Sequence, residues 1–165
     1  MRFAVDLVMC IDGTASMEGF LLYLRKQALD LWQNISEMAD VVGMSLRSDW
    51  FRVKVIVFRN NKEDGETAME ESAFFMLPDP QGAKAFNEFI QGFEPHGNGD
   101  KPKNALEAIF TAIKSDWVTQ FGRFRRQVIL LITDGPALPL HEEEQKRSKL
   151  SGRYASLHRR VGGYP

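Results

Sequence analysis

Asp12, Thr14 and Ser16 occupy alternate positions in CIDGTASM, residues 10–17, directly behind an apolar run. A period of two lets alternate side chains of extended chain point into the same space, while Gly13 and Ala15 keep the intervening positions small. A second aspartate, Asp134, follows another apolar run in QVILLITDGP, and a third, Asp100, lies in the turn-rich stretch EPHGNGDKP. Carboxylates and hydroxyls are hard oxygen donors, the set that Mg²⁺ or Mn²⁺ accepts while keeping some waters. Each piece also has a plainer use: Asp12 and Ser16 are favoured at helix starts, Asp100 can cap a helix beginning near Pro102, and Asp134-Gly135-Pro136 is a turn signal.

Which use applies depends on the elements that carry these residues. FAVDLVMCI, with Asp6 its only polar residue, predicts a strand buried on both faces of a parallel sheet and ending at Asp12. From Met17 to Val42, apolar residues recur at spacings of three and four, which predicts one long amphipathic helix capped by Ser16. RVKVIVF, residues 52–58, predicts a second strand; Asp64-Gly65 marks a turn, and AFFML, residues 73–77, a short strand returning as a hairpin. A short helix follows in AKAFNEFIQGF, with Phe86, Phe89, Ile90 and Phe93 on one side, and another in NALEAIFTAIKSDW. Val128 to Ile132 predicts a central strand, stopped by Thr133, Asp134, Gly135 and Pro136. Strands alternating with helices imply a doubly wound α/β fold, mostly parallel with one antiparallel hairpin strand and helices on both faces. In such folds ligands bind at the carboxyl ends of the strands, which brings Asp12, Thr14, Ser16, the 97–101 loop and Asp134 to one edge.

The bulk composition narrows the classes. A chain of 165 residues is the size of one domain, able to bury about two thirds of its unfolded surface. A net charge of −1 and a pI near 6.3 give no bulk attraction to nucleic acid or to an anionic membrane. Apolar runs fall short of the roughly 20 residues a membrane-spanning helix needs. Cys10 is the only cysteine, so an internal disulfide and a cysteine-based zinc site are excluded. MRFAVDLVMC is interrupted by Asp6 and lacks a small residue before Cys10, so it predicts a strand rather than an export signal, and a cytoplasmic location is expected. Residues 141–165, with three consecutive glutamates and then many Lys and Arg, predict a basic tail, flexible or partly helical, after a domain spanning 1–140.

The ordered set of motifs resembles the von Willebrand factor type A domain, also called the integrin I-type domain. Asp12-Gly13-Thr14-Ala15-Ser16 matches the D-x-S/T-x-S of that family's metal-ion-dependent adhesion site, and Ile132-Thr133-Asp134-Gly135 matches its second aspartate motif. VFRN is similar to the Y/F-R-D ending of the second strand in one subgroup, and HGNGDKPKNALEAI to that subgroup's G-G-G-D-x-P-E loop and helix. The resemblance runs from about residue 3 to 140. It implies a Rossmann-like fold and a divalent cation, Mg²⁺ or Mn²⁺ with Ca²⁺ a third candidate, held by Asp12, Thr14 and Ser16 with Asp100 and Asp134 in the outer set. It further implies a non-enzymatic protein-protein binding module, a scaffold or regulator, whose partner completes the cation with an Asp or Glu.

Departures from the pattern are as informative as matches. Lys101 stands where many members place a metal-binding Thr, Lys103 replaces the usual acid, and Asn60 replaces the Asp of R-D. A lysine beside a divalent cation is repelled by it, so either Lys101 points outward and Asp100 supplies an oxygen, or its ammonium weakens or replaces the metal; the outward arrangement is expected. The family continues with further strand-helix units after the position of Asp134, for which this sequence offers no apolar run, as in a truncated or minimal domain with an exposed sheet edge. The rival resemblance is to Mg²⁺-dependent phosphatases of the haloacid dehalogenase type, which share Asp12-Gly13-Thr14. Their nucleophilic aspartate falls at Cys10, where no aspartyl-phosphate can form, and a non-enzyme is expected. His96, His141 and His158 show no ligand-type spacing, and Arg123, Arg125 and Arg126 predict a solvated loop.

Overall fold

A computed structural model describes residues 2–139. The predicted tail, with His141 and His158, lies outside the described residues. The described chain runs β1 (Phe3–Asp12), α1 (Glu18–Gln27), α2 (Leu31–Val41), β2 (Leu46–Phe58), α3 (Asn61–Asp64), β3 (Met69–Glu71), β4 (Phe75–Met76), α4 (Pro80–Gly92), α5 (Ala105–Ile113) and β5 (Arg125–Ile132). The sheet order is β3-β2-β1-β5, with β4 also paired to β2. β1 is parallel to both β2 and β5, whereas β3 and β4 run antiparallel to β2. This is the expected α/β class, a mixed and mostly parallel five-stranded sheet with flanking helices.

Apart from Asp6 and the terminal Asp12, β1 is apolar, as a strand buried on both sides requires. Val5, Met9 and Ile11 join one apolar cluster with Leu21, Leu24, Phe51, Phe86 and Ile90, while Val8 and Cys10 join another with Ala105, Ala108 and Ala112. Alternation along the strand thus places α1, α2 and α4 on one face and α5 on the other.

Several boundaries differ from the sequence expectations. The long helix is broken into α1 and α2 at Ala28–Asp30, where Asp30 opens α2 and Asn34 reaches back to Gln27. Apolar periodicity survives such a break because both helices face the same side of the sheet. Ser16 caps neither: a short 3-10 turn, Ala15–Met17, precedes α1, and the Ser16 hydroxyl is turned elsewhere. β2 begins at Leu46, earlier than expected, with a register irregularity between its pairings to Phe3 and Val5. The expected returning strand, residues 73–77, is reduced to β4, and β3 forms ahead of it in the stretch expected to be a polar turn; between them the Ser72 hydroxyl accepts from the Val55 N–H (2.9 Å). The expected central strand, β5, stands instead at the end of the described sheet, with Val128, Ile129, Leu130 and Leu131 36–43% exposed. Among the described residues, no helix is long and apolar enough to cross a membrane.

Candidate functional site

The parallel register fixes what meets at the carboxyl edge. Ile11 pairs with Ile132 and Asp12 with Phe58, so the loops after β1, β2 and β5 leave the sheet side by side. Asp12 is fully buried there. Its Oδ1 accepts from the Thr14 N–H (3.0 Å) and the Thr14 hydroxyl (2.7 Å), and its Oδ2 accepts from the Thr133 hydroxyl (2.8 Å). The Thr14 and Ser16 oxygens are 3.1 Å apart. Because Thr14 gives its proton to Asp12, the exposed Ser16 hydroxyl has one proton and two neighbours to receive it, Thr14 and the Asp134 carboxylate.

The remaining partner of Asp12 is a lysine. The Lys103 ammonium is 2.9 Å from Asp12 Oδ2 and 2.6 Å from Asp134 Oδ1, and the Lys103 side chain is wholly buried. Its backbone is pinned from both directions. The Lys103 N–H donates to the Pro136 carbonyl (2.9 Å), and its carbonyl accepts from the Leu138 N–H (2.8 Å), a one-residue bridge between the segment before α5 and the loop after β5. Its neighbours are tied to the end of β2, Pro102 through its carbonyl to the Asn60 amide (2.9 Å) and Asn104 through its N–H to the Arg59 carbonyl (2.9 Å). α5 therefore starts at Ala105 with Asn104 at its cap, not near Pro102, and Asp100 is not a helix cap.

The 97–101 loop is stitched to the first loop. The His96 N–H donates to the Gly13 carbonyl (3.1 Å) and the Ala15 N–H to the Gly97 carbonyl (3.4 Å). Gly99 lies so close to Ser16 that a Cβ on it would fall 2.4 Å from the Ser16 hydroxyl. Asp100 follows, exposed at the rim, with its N–H donating to Asn98 Oδ1 (2.9 Å). Lys101 points outward, the orientation expected of it, where it pairs with Glu63, a partner the sequence did not indicate. The lysine that enters the site is Lys103, which sequence reasoning treated only as a replaced acid.

Arg59, the arginine of VFRN, is also fully buried. It donates to the Gly13 carbonyl (3.2 Å), the Thr67 carbonyl (2.5 Å) and Glu70 (2.7 Å), and stacks over Phe93 at 4.9 Å. It is a positioning residue that holds the Asp12–Ser16 loop from beneath. The motif resemblance includes both it and Thr133 but gives neither a role in the site. The signal for Arg59 was a charge at the end of a buried strand, which needs partners to be there.

Electrostatics follow the contacts. Burial opposes the charge on Lys103, but its hydrogen bonds to Asp12 and Asp134 and their negative charges outweigh it, and the ammonium titrates above the ordinary lysine range. The hydrogen bond from Lys103, followed by the Ser16 hydroxyl, holds the Asp134 carboxyl below the usual carboxylate range. Burial pushes the Cys10 thiol up to about 12, so it is neutral and inert near neutral pH.

The structure thus brings Asp12, Thr14, Ser16 and Asp134 together, with Asp100 on the rim. Among the described residues, no group of three or more His, Cys, Asp or Glu side chains could hold a metal. The oxygens of Asp12, Thr14, Ser16 and Asp134 are of the right chemical type for Mg²⁺ or Mn²⁺, but the space between the two carboxylates already contains a positive charge. As arranged, the donor set does not fit a divalent cation there unless Lys103 withdraws.

Solved structures share this fold, among them two crystal structures of the pilus adhesin SpaC from Lactobacillus rhamnosus GG. The open conformation matches with a TM-score of 0.57 and 16% identity over 81% of this chain, and a second form with a TM-score of 0.55 and 15% identity over 82%. The chain spans only 15–16% of the length of those adhesin chains. No family model and no curated protein matches the sequence. The likeness establishes the α/β fold.

Proposed function

We propose that this chain is a protein-binding module rather than an enzyme, and that its partner docks on the carboxyl edge of the sheet over Ser16, the 97–101 loop and Asp134. The supporting observation is the convergence of three loops from distant parts of the sequence into one polar patch with an exposed rim and a locked floor. The floor has no available nucleophile: Asp12 is held by four donors, and Cys10 is buried and un-ionised where a phosphatase of the rival type needs its aspartate. The fold shared with a segment of a pilus adhesin agrees with a binding role.

Two forms of this reading differ in their cation. In the form that the family resemblance implies, Asp12, Thr14, Ser16, Asp100 and Asp134 hold Mg²⁺ or Mn²⁺, and an Asp or Glu of the partner completes it; this requires Lys103 to leave the two aspartates. In the form that the position of Lys103 favours, no metal enters, and the rim carboxylates of Asp100 and Asp134 meet hydrogen-bond donors of the partner.

Selection from a random displayed peptide library, run separately in Mg²⁺ and in chelator, tests both. Docking at this edge predicts that selected peptides shift the amide signals of Ser16, Asn98 to Lys101 and Asp134, and lose affinity for Ser16→Tyr. Shifts confined to the opposite edge would refute the reading. Hydrolysis of a generic aryl phosphate, abolished by Asp12→Ala, would restore the enzyme.

A further inference from the structure

Lys103 is a charged side chain with no exposure, and three independent features of the fold build its place. Its ammonium lies between two carboxylates that arrive from opposite ends of the sequence, 2.9 Å from Asp12 and 2.6 Å from Asp134. Its backbone is clamped to Pro136 and Leu138, and its neighbours to Arg59 and Asn60, so the stem can enter the site from one direction only. The loop after β5 then closes over the amine at Gly135, where a Cβ would fall 2.6 Å from the Lys103 nitrogen and 3.3 Å from Cε. A side chain at 135 would have to displace the end of the lysine stem from the two carboxylates that hold it. A chance surface lysine would satisfy none of these. Lys101, two residues earlier and 52% exposed along its side chain, pairs with Glu63 at the surface instead.

An ammonium and a divalent cation cannot share this space, because each requires the same carboxylates and the two repel at contact distance. The ammonium also supplies what a cation would supply to the fold: it neutralises the buried Asp12 and ties the loop bearing Asp134 to the end of β1. We propose that the Lys103 ammonium is the resident cation of this site, standing where the resemblance would place a divalent metal, so that the wild-type site is metal-independent and loss of the amine opens it to Mg²⁺ or Mn²⁺. The inference concerns the edge proposed for docking but is read without any partner, so the two stand or fall separately.

The test compares wild type, Lys103→Ala and Lys103→Ala/Asp12→Ala, each in chelator and in millimolar Mg²⁺ or Mn²⁺. The wild type is expected to melt at the same temperature in all three solutions and to leave added Mn²⁺ free by electron paramagnetic resonance. Its Lys103 ammonium should give a slowly exchanging ¹H–¹⁵N signal at neutral pH that Mn²⁺ does not broaden. Lys103→Ala should melt lower in chelator and recover by several degrees once Mn²⁺ reaches about 100 times its dissociation constant. The added Asp12→Ala should abolish that recovery. Mn²⁺ binding by the wild type that stabilises it would overturn the inference, as would a folded Lys103→Ala that is undiminished in chelator or unresponsive to metal. Should Lys103→Ala fail to fold, the wild-type Mn²⁺ titration and the ammonium signal decide: an absent or Mn²⁺-broadened signal overturns the inference.

Discussion

Replacing Lys103 by methionine keeps most of the stem volume and removes only the charge and its donors. Asp12 would then keep three hydrogen bonds, from the Thr14 N–H, the Thr14 hydroxyl and the Thr133 hydroxyl, but would be a fully buried anion without a counter-charge. Removing one partner of a buried pair costs about 3–5 kcal/mol. The three surviving bonds place Lys103→Met at the lower end, about 3 kcal/mol, since each satisfies part of the carboxylate's need. Asp12→Asn is the reciprocal change. It presents an amide N–H₂ or one neutral oxygen where Oδ2 accepted from two donors, leaving the ammonium with Asp134 alone; about 3 kcal/mol, again the lower end of that range, is expected.

The double variant removes both charges. An ion pair in direct contact predicts that the combined loss falls short of the sum by about 2–3 kcal/mol, the upper range for contacting residues. Urea unfolding of the four proteins measures this cycle, with thermal unfolding as a second readout; about 3 kcal/mol corresponds to roughly 6–12 °C for a chain of this size. Coupling should survive added salt, because the pair is buried and poorly screened. If the two single losses add within about 0.5 kcal/mol, the ammonium does not contact Asp12 in solution and the account of the site fails.

Other consequences are independent of that pair. Asp6 lies at the opposite edge, where its buried carboxylate accepts from Arg52 (2.8 and 2.6 Å), Trp50 (3.2 Å) and the Val118 N–H (2.6 Å); Asp6→Ala should cost about 3–5 kcal/mol in urea unfolding yet leave the affinity of edge-selected peptides unchanged. Gly99→Ala should do the reverse, weakening those peptides at least several-fold by pushing the loop off Ser16, with a stability change of about 1 kcal/mol or less. Glu107 is buried on α5 with no well-formed hydrogen bond to its carboxylate, and burial raises its pKa against a weaker opposing pull from its own backbone and Asn104. The folded state thus holds a proton that the unfolded state has released, and stability falls as pH rises from the ordinary glutamate value of 4.5 through the raised one. Glu107→Gln should remove that fall and stabilise the chain by about 1 kcal/mol at pH 7, seen as a flatter plot of unfolding free energy against pH. Cys10 behaves alike at the alkaline end: its folded thiol stays protonated to about 12 while the unfolded thiol ionises near 9.0, so stability declines across that window and thiol reagents at pH 8 should label only as fast as the protein opens.

The fold class was legible because Phe3 to Ile11, broken only by Asp6, and Val128 to Ile132 are near-continuous apolar runs and the segments between them carry helical periodicity, signals that survive changes in boundary. The helix break at Ala28–Asp30 was not legible, since α1 and α2 present apolar residues to the same face and the period runs on through the turn. Position in the sheet also escaped: LLIT reads as interior strand, yet β5 has only β1 beside it among the described residues. Four of the candidate site residues could be found by spacing, because the register of parallel strands delivers the ends of β1 and β5 to one place. Lys103 could not be placed that way. Its orientation is set by the bridge to Pro136 and Leu138 and by Asn60, contacts between segments more than 30 residues apart, whereas Lys101, the nearer match to a metal-binding position, finds Glu63 in a helical turn whose place no local pattern gives.

The identity of that one lysine changes what the patch can recognise. Asp12, Asp134 and Lys103 together carry a net charge of −1, counting two carboxylates against one ammonium. A divalent cation in place of the amine would leave the same two carboxylates neutralised and an open coordination position, and an acidic partner group would be welcome. With the ammonium fully buried, no partner atom reaches it, and the exposed rim offers the carboxylates of Asp134 and Asp100. An approaching Asp or Glu meets like charge there, while a Lys, Arg or amide meets acceptors. Peptides selected by wild type in chelator should therefore be rich in donors, and those selected by Lys103→Ala in Mn²⁺ should be rich in acids. The same peptide preference for both proteins would mean that the buried cation does not govern recognition at this edge.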